Sequence, residues 1–293
     1  MTIKQEHCVM VTGAGSGIGY AAAQALLNQG YAVFGGAIDQ AEADKITQSF
    51  GNLVTPVILD VGNEDSVQAA RDQVGNALNG RPLVALLNIA GVITNGPLVD
   101  LSAGKFQQIL TINVIGTHNV TRAFLPLLMK HAGSRVINTS SSSGTRTLPF
   151  TGAYSASKFG VEALSTAMRY EFKMLGIHVV VIAPANIKTP MAEKIQNELK
   201  KEPSLAVYKK PLQLFLANTV DSFTTKGISP ERVAEAFVKA VTSEKPARRY
   251  EVHSSYFRDA ILMRKLPVGL IEKAVLKTLA LDKAYTMGGY REG

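Results

Sequence analysis

Short apolar runs alternate along the chain with longer segments in which apolar positions recur at helical spacing. Apolar runs with so few polar interruptions are typical of strands buried on both faces of a parallel sheet. Alternation of such strands with helices indicates right-handed crossovers that cover both faces. The pattern therefore predicts an α/β fold with a doubly wound, mostly parallel, seven-stranded sheet of Rossmann type. The predicted strands are Cys8–Val11, Tyr31–Gly35, Leu53–Leu59, Leu83–Asn88, Arg135–Thr139, Ile177–Ile182 and Arg248–Val252.

Helix-length segments fill the intervals between these strands, and Gly30 and Gly176 stand where a left-handed residue commonly ends a helix. Two stretches do not follow the alternation. We expect a catalytic domain over residues 1–253, with a substrate lid at about 190–228, and a C-terminal helical extension of the same domain over residues 254–293. Pro267 and Gly269 are expected to break this extension into two helices. The helices predicted between the strands include Ile18–Gln29, Glu64–Leu78, Phe106–Met129 and Tyr154–Leu175.

A glycine-rich turn joins the first predicted strand to the first helix. Gly13, Gly17 and Gly19 follow the spacing Gly-x3-Gly-x-Gly, which differs from the commonest dinucleotide fingerprint. Glycines let the backbone approach a pyrophosphate, and the helix N-terminus supplies free N–H groups and partial positive charge. The position of the turn indicates a nucleotide site, although a tight structural turn uses the same residues.

Asp39 lies twenty residues after Gly19, at the end of the second predicted strand. An acid at this place accepts hydrogen bonds from the adenosine ribose hydroxyls and repels a 2′-phosphate. Residues 35–38 include no basic side chain, and Ser16 stands inside the glycine turn where a base would serve NADP. We therefore expect NAD as the cofactor, with NADP less favoured. The alternative is that Asp39 only begins a solvated loop.

Tyr154 and Lys158 are predicted to lie one turn apart at the start of a helix. A free phenol has a pKa near 10 and is a poor base at neutral pH. A nearby ammonium and an oxidised nicotinamide would lower that pKa toward the working range. By itself the pair is an ordinary feature of an exposed helix. The preceding strand, however, ends in a run of four serines at 140–143, where parallel strands deliver residues to a cleft.

Taken together and in this order, the motifs resemble the classical short-chain dehydrogenase/reductase family over about residues 5–250. The resemblance implies a catalytic tetrad of Asn113, Ser141, Tyr154 and Lys158, with Ser141 selected because the family's serine precedes the tyrosine by thirteen positions. Tyr154 would exchange the substrate proton while hydride passes between substrate and nicotinamide. Lys158 would hold the nicotinamide ribose, Ser141 would orient the substrate oxygen, and Asn113 would hold a water. No metal is expected.

The cofactor contacts are expected along the same motifs. The chain departs from the family pattern at Ile89, which replaces an asparagine, and at Ala185, which adds a methyl group where the backbone approaches the nicotinamide. The expected cofactor-binding residues are Gly13, Ser16, Gly17, Ile18, Gly19, Asp39, Asp60, Val61, Asn88, Ala90, Gly91, Tyr154, Lys158, Pro184, Ile187 and Thr189.

The residues that follow the motifs are mostly apolar, which favours a bulky hydrophobic alcohol or ketone as substrate. The long insertion and the tail resemble the retinol and hydroxysteroid dehydrogenase branch of the family. Two alternatives are a reductase of 3-oxoacyl thioesters or quinones, and a non-catalytic NAD-binding regulator. The expected substrate-binding residues are Ser141, Ser143, Leu148, Tyr154 and Met191.

Charge is distributed unevenly. The net charge is +8, and the residues from Lys245 onward include ten Lys and Arg but only five Asp and Glu. Because no aromatic ladder accompanies the basic residues, a nucleic-acid partner is not expected. The basic and apolar tail is consistent with weak peripheral membrane contact, a pocket cover, a subunit interface, or packing against its own domain.

The cysteine count limits disulfides and metal sites, and the terminal pattern gives an expectation for localisation. Cys8 is the single cysteine, which excludes an intrachain disulfide and a multi-cysteine metal site. The N-terminus has no signal-peptide pattern, and no uninterrupted apolar run reaches eighteen residues. We expect a cytoplasmic protein that forms a homodimer or homotetramer, as members of the resembled family do.

Overall fold

The computed structural model describes residues 6–188, 195, 197, 202–254 and 266–282, and the backbone of residues 285–286 and 289–290. Seven strands form one parallel sheet in the order β3-β2-β1-β4-β5-β6-β7. The order reverses between β1 and β4, and such a switch point opens a crevice at the carboxyl ends of the strands. The strands are β1 (Cys8–Val11), β2 (Ala32–Ala37), β3 (Val54–Ile58), β4 (Leu83–Asn88), β5 (Arg135–Thr139), β6 (His178–Pro184) and β7 (Arg249–Val252).

Helices cover both faces of this sheet. Two further strands, β8 (Tyr285–Thr286) and β9 (Gly289–Tyr290), pair with each other near the C-terminus. The described helices are α1 (Gly17–Asn28), α2 (Gln40–Phe50), α3 (Glu64–Ala77), α4 (Ala103–Leu110), α5 (Gly116–Leu128), α6 (Gly152–Glu171), α7 (Lys209–Thr224), α8 (Pro230–Thr242) and α9 (Val268–Thr278).

Each face of the sheet has its own hydrophobic core. On one face, α1, α2 and α8 bury residues such as Leu26 and Phe237 against β1 and β2. On the other face, α3, α5 and α6 bury residues such as Phe124 and Met168. Strands buried on both faces explain why the sequence pattern is nearly continuous in apolar residues rather than alternating. The predicted doubly wound Rossmann-type sheet is confirmed, and it is parallel throughout.

The helix predicted over Phe106–Met129 is present as one helical run, and residues 111–115 within it depart from α-helical geometry. The segment Thr111–Ile115 is a π-helical turn between α4 and α5. A π-helical turn inserts one residue into the α-helical repeat, and such turns occur frequently at functional sites. Apolar periodicity alone does not reveal it, because the apolar stripe resumes after the extra residue.

The segment expected to form a lid and the C-terminal tail share a third, smaller core, which we call the lid cluster. Its buried members are Phe150, Ile195, Leu212, Phe215 and Leu279. The C-terminal extension therefore packs against its own domain through α9 and the residue that follows it. Gly269 lies inside α9 and does not break it, whereas Pro267 immediately precedes the helix. Residues 255–265, the first half of the expected two-helix tail, lie outside the described residues.

Candidate active site

The glycine-rich turn brings the chain back on itself at the carboxyl edge of β1. Gly13 has a positive φ of 66°, a conformation that favours glycine. A Cβ atom at Gly19 would overlap the carbonyl oxygen of Gly13. Ser16 is the N-cap of α1, and its side chain makes no capping hydrogen bond. The turn therefore leaves the first N–H groups of α1 open toward the cleft, as an anionic pyrophosphate requires.

Thr12 fixes this turn to the end of β4. Its hydroxyl accepts hydrogen bonds from the backbone N–H groups of Ile89 and Ala90, at 2.9 Å each, and donates to the Leu87 carbonyl at 3.3 Å. Two loops on either side of the switch point are thereby held together. Thr12 was not among the expected site residues, although its polar side chain at the end of an apolar strand was the available signal.

Asp39 and Glu42 stand at the start of α2, next to the glycine turn. The Asp39 carboxylate accepts a hydrogen bond from the Glu42 N–H at 2.8 Å and so caps the helix. The Glu42 carboxylate accepts from the Ile38 N–H at 2.8 Å, and a Cβ at Gly15 would collide with the Glu42 side chain. Two carboxylates thus lie at the position where an adenosine ribose would enter. Sequence reasoning missed Glu42, whose signal is the Asp-x-x-Glu pattern of a capping box.

Asp60 and Val61 follow β3. One Asp60 carboxylate oxygen accepts a hydrogen bond from the Gly62 N–H at 2.9 Å, and the Asp60 N–H donates to the Ser66 hydroxyl at 2.9 Å. The Val61 side chain is buried against Gly116 at the start of α5. These contacts fix the direction of the Asp60 carboxylate, and its expected contact with the cofactor stays a prediction.

Asn88, at the end of β4, has a structural role. Its side-chain amide donates to the Thr121 hydroxyl and to the Asn138 amide oxygen, at 2.9 Å each. Both amide hydrogens are used inside the core, whereas the buried Asn88 Oδ1 has no hydrogen-bond partner among the described residues, so the cofactor contact of Asn88 stays a prediction. Gly91, three residues later, does lie beside the tetrad. A Cβ there would stand 3.1 Å from Asn113 Oδ1 and 3.7 Å from Lys158 Nζ.

Asn113 lies in the π-helical turn and clamps three elements together. Its Oδ1 accepts from the Val92 N–H, and its Nδ2 donates to the Val92 carbonyl and to the Ser157 hydroxyl, all within 2.9 Å. The Ser157 hydroxyl in turn donates to the Tyr154 carbonyl at 2.7 Å. Asn113 is 1% exposed. Its side chain thus fixes the start of α6 to the loop after β4, a link through Ser157 that sequence reasoning did not foresee.

Ser141 and Tyr154 face each other at the carboxyl edge of the sheet. Burial raises the pKa of the Tyr154 phenol, and a hydrogen bond with the Ser141 side chain opposes that shift. The Ser141 hydroxyl also accepts from the Ser143 N–H at 3.1 Å. The phenol is therefore a protonated acid at neutral pH. Lys158 alone does not bring about the lowering of the phenol pKa that the sequence led us to expect.

Lys158 carries a charge into the interior, since only 6% of its surface is exposed. Its Nζ donates to the Thr139 carbonyl at 2.9 Å and lies 5.7 Å from the centre of the Tyr154 ring. Burial lowers the Lys158 pKa to about 8, and the Glu162 carboxylate acts in the opposite direction. The ammonium is thus still protonated at neutral pH. In the described part of the chain it has one hydrogen-bond acceptor, which leaves further N–H donors for a ribose.

The expected substrate residues are only partly brought to this place. Leu148 lies in the turn before α6 with an exposed side chain. Ser143 contacts Ser141 through its backbone, as described above. Met191 and Thr189 lie outside the described residues. Pro184 ends β6, and Ile187 is buried in the core, where it bridges to Ile228.

The cleft fits a nicotinamide dinucleotide. The close backbone approach at Gly19 would not admit a side chain, and the buried hydroxyls of Thr139 and Ser140 have no hydrogen-bond partner among the described residues. Such groups are commonly satisfied by water or ligand. Among the residues that the structure describes, no group of three or more His, Cys, Asp or Glu side chains is placed to hold a metal ion.

Comparison with known proteins defines the class. Residues 7–200 match the model of the family described as short chain dehydrogenase. The chain is 32% identical to the uncharacterized oxidoreductase YbbO of Escherichia coli, over 92% of this chain and 93% of that protein. It is 33% identical to mouse estradiol 17-beta-dehydrogenase 2, over 67% of this chain and 53% of that protein.

Two further matches also cover nearly the whole chain. The chain is 30% identical to the NADPH-dependent 3-dehydrocapnine reductase of Ornithobacterium rhinotracheale, over 92% of this chain and 96% of that protein. The solved structure of a short-chain dehydrogenase from Streptomyces avermitilis shares the fold, with a TM-score of 0.74, 23% identity, and coverage of 95% of this chain and 98% of that one.

The fold and site define a dinucleotide-binding oxidoreductase of the Rossmann type. The chain belongs to the short-chain dehydrogenase family, and its relatives include hydroxysteroid dehydrogenases. Members of this class bind NAD or NADP, and membership of the family is consistent with interconversion of alcohols and carbonyls.

Replacing Lys158 by methionine tests whether the buried charge opposes folding. The pKa is about 8 in the fold against 10.5 for the exposed group, so the folded state holds this proton less tightly than the unfolded chain. The resulting penalty is fully present below pH 8 and disappears as the pH rises through 10.5. At pH 7 the relieved penalty is about 3 kcal/mol, so we expect Lys158→Met to increase the free energy of unfolding by about 2 kcal/mol after allowing about 1 kcal/mol for the lost hydrogen bond.

Urea unfolding at pH 7 and pH 10 measures this difference. The matched control is Lys173→Met, because Lys173 is an exposed lysine directly after α6. A stability gain that is the same at both pH values would show that burial of the Lys158 charge is not its source.

Proposed function

We propose that the protein interconverts an alcohol and a carbonyl, with Tyr154 as the group that transfers the substrate proton. The observation that carries this proposal is the meeting of Ser141, Tyr154 and Lys158 at the carboxyl edge of the sheet, beside the glycine turn. When bound, a nicotinamide cofactor supplies or accepts the hydride. A non-catalytic regulator would need the dinucleotide turn but not a phenol hydrogen-bonded to a serine beside a buried ammonium.

The two directions of reaction use Tyr154 differently. In reduction, the protonated phenol donates to the carbonyl oxygen, while the Ser141 hydroxyl orients that oxygen. In oxidation, the phenol must first release its own proton to water, after which the phenolate accepts the proton of the substrate hydroxyl. The Lys158 ammonium favours the resulting phenolate because the two groups are close in a poorly solvated site. Asn113 keeps both side chains in place through Ser157 and the start of α6.

Substitution of Tyr154 by phenylalanine removes the hydroxyl and leaves the ring. We expect kcat to fall by roughly 10²–10⁴-fold, the usual contribution of a positioned acid or base. NADH binding, followed by its fluorescence, should change little. Steady-state rates are measured with a panel of steroid, retinoid, 3-oxoacyl and quinone substrates.

The control for this variant is Tyr170→Phe, which removes a hydroxyl from an exposed tyrosine of the same helix. Substantial turnover by Tyr154→Phe would assign proton transfer to another group. Tight NAD binding by the wild type without turnover on any panel member would favour the regulator.

For the cofactor, we propose a preference for NAD over NADP. Glu42 supports it most directly, since its carboxylate lies against Gly15 and accepts from the Ile38 N–H. Asp39 adds a second negative charge at the same helix start. A 2′-phosphate brought next to these carboxylates would be repelled, whereas ribose hydroxyls can donate to them. Because one relative named above is NADPH-dependent, the preference between NAD and NADP requires a direct test.

Neutralising Glu42 should weaken the discrimination against NADP. For Glu42→Gln we expect the ratio of kcat/KM with NAD to kcat/KM with NADP to fall by about tenfold, equivalent to about 1.4 kcal/mol. Initial rates with each cofactor give the ratio. The control is Asp44→Asn, an exposed acid of the same helix. A wild-type enzyme that favours NADP by tenfold would refute the proposed preference.

As substrate we propose a bulky hydrophobic alcohol or ketone of the steroid or retinoid kind. The lid cluster supports this, because its apolar side chains Phe150 and Phe215 pack directly beside the start of α6. A neighbouring cavity of about 530 Å³ is bounded by Phe150, Ala153 and Leu212, although Ser141 and Tyr154 do not line it. Reductases of 3-oxoacyl thioesters or quinones remain the alternative, and the substrate panel above separates them.

We also propose a cytoplasmic homo-oligomer. The outer face of α6 offers a surface for a second copy, because Phe159, Tyr170 and the nearby Met174 expose apolar side chains there. In the described part of the chain, no helix is long and apolar enough to cross a bilayer.

Weak peripheral membrane contact through the C-terminal extension is a further part of this proposal. Leu266, Val268 and Leu270 expose apolar side chains at the start of α9, and Lys273 and Lys277 follow on the helix. We expect partial co-sedimentation with vesicles containing anionic lipid at low salt, and release at high salt because the charge attraction is screened. Vesicles of neutral lipid are the control. No binding to anionic vesicles at low salt would eliminate membrane contact.

A further inference from the structure

A chain of alternating charges begins one turn after Lys158 and leads to the edge of the sheet. Glu162 follows Lys158 on α6 at the i+4 position. Its carboxylate forms an ion pair with the Arg249 guanidinium from β7. The Arg249 Nε donates to the Glu251 carboxylate at 2.9 Å, and His253 Nε2 lies 3.5 Å from the other oxygen of that carboxylate. The proposed function uses none of these groups beyond Lys158.

This chain of charges is largely withdrawn from water. The side chains of Glu162 and Arg249 are 24% and 22% exposed, and those of Glu251 and His253 are below 10%. Charges in such a setting interact more strongly than on an open surface, because less water screens them. Removing both charges of a partly buried ion pair from water costs free energy, which their attraction only partly recovers. Because this ion pair lies behind the tetrad, its charges act on the Lys158 ammonium.

The fold gives Glu162 little freedom to turn away. Helix α6 packs against β5 and β6, and β7 pairs with β6 through the register Val181–Arg249. The aliphatic part of the Glu162 side chain lies against residues 140–144, which we call the serine turn. A Cβ at Gly144 would stand 3.2 Å from Glu162 Cγ. The carboxylate is thus held between the helix that carries Lys158 and the edge strand that carries Arg249.

We propose that Glu162, held by Arg249, is a positioning residue that keeps the Lys158 side chain charged. This inference rests on the proposed function, in which the Lys158 ammonium stabilises the Tyr154 phenolate. Glu162 supplies the negative charge, and Arg249 limits how much of that charge Lys158 experiences. The two residues therefore act on Lys158 with opposite signs.

The charged groups around this pair define the expected titration. On α6, Lys158 and Arg169 face Glu162, and the Glu162 charge raises the pKa of both. From β7, Arg249 contacts Glu162 directly, with Glu251 behind it. The serine turn contributes only uncharged side chains, namely Ser140 and its neighbours. Burial lowers the Lys158 pKa to about 8, and removal of the Glu162 charge would lower it further.

The decisive experiment compares Glu162→Gln with Arg249→Gln. In Glu162→Gln we expect the Lys158 titration to move to lower pH by about half a unit or more, since an attractive charge is lost. In Arg249→Gln we expect it to move to higher pH, because the Glu162 charge is no longer shared. A purely structural role would not shift the two variants in opposite directions.

Two readouts follow this titration in the intact protein. The first is the 13C shift of lysine Cε in protein labelled at that carbon, with the Lys158 signal assigned by its absence in Lys158→Met. The second is the alkaline limb of the pH profile of kcat, which should move in the same direction as the NMR midpoint. Glu171→Gln, an exposed acid at the end of α6, serves as the matched control and should move neither.

Arg249→Lys is the control for misfolding. It retains the positive charge, so the midpoint of the Lys158 titration should stay near that of the wild type. Shifts of the same sign in Glu162→Gln and Arg249→Gln, or no shift in folded protein, would overturn the proposal. Failure of the proposed function would look different. The NMR midpoints would still move apart, while the wild type would show no turnover on any substrate of the panel.

Discussion

A single ammonium inside the fold, that of Lys158, is the constraint on which the arrangement of the cleft depends. Its Nζ is tied to the Thr139 carbonyl at the end of β5, so the charge sits where the parallel strands deliver their last residues. The protein interior disfavours such a charge, and the lowered pKa of about 8 expresses that cost. Stability is thereby exchanged for a cation that is in place before substrate arrives, as preorganised electrostatics requires.

The surrounding polar contacts make sense as supports for that charge. Asn113 and Ser157 fix the start of α6, and Thr12 fixes the glycine turn to the loop after β4. Each bond joins two elements that come from different parts of the chain. The π-helical turn is part of the same solution, because it places Asn113 deep enough to reach both the Val92 backbone and Ser157. The side-chain contacts of Asn113 thus give it a structural role at the start of α6.

Much of the fold follows from local pattern. β1, β4 and β5 have the predicted bounds, because runs such as Leu83–Asn88 are apolar, end abruptly at polar residues and need no tertiary knowledge. The tetrad was predictable for a related reason: helical spacing links Tyr154 to Lys158, and the carboxyl ends of parallel strands share one edge. What sequence could not give is contact between distant segments. The direction of the Asn88 amide, which turns into the core, depends on Thr121 and Asn138.

The same limit explains why the charges beyond the tetrad were missed. Glu162 reads as an ordinary helix acid and Arg249 as an ordinary edge-strand base, since their pairing depends on α6 crossing β6. Burial of Lys158 and Tyr154 could not be read from the motif either. Burial of the phenol raises the pKa of Tyr154, and the hydrogen bond with Ser141 only opposes that rise, so the simple expectation of a lowered pKa is reversed. The burial of the phenol thus favours its protonated form.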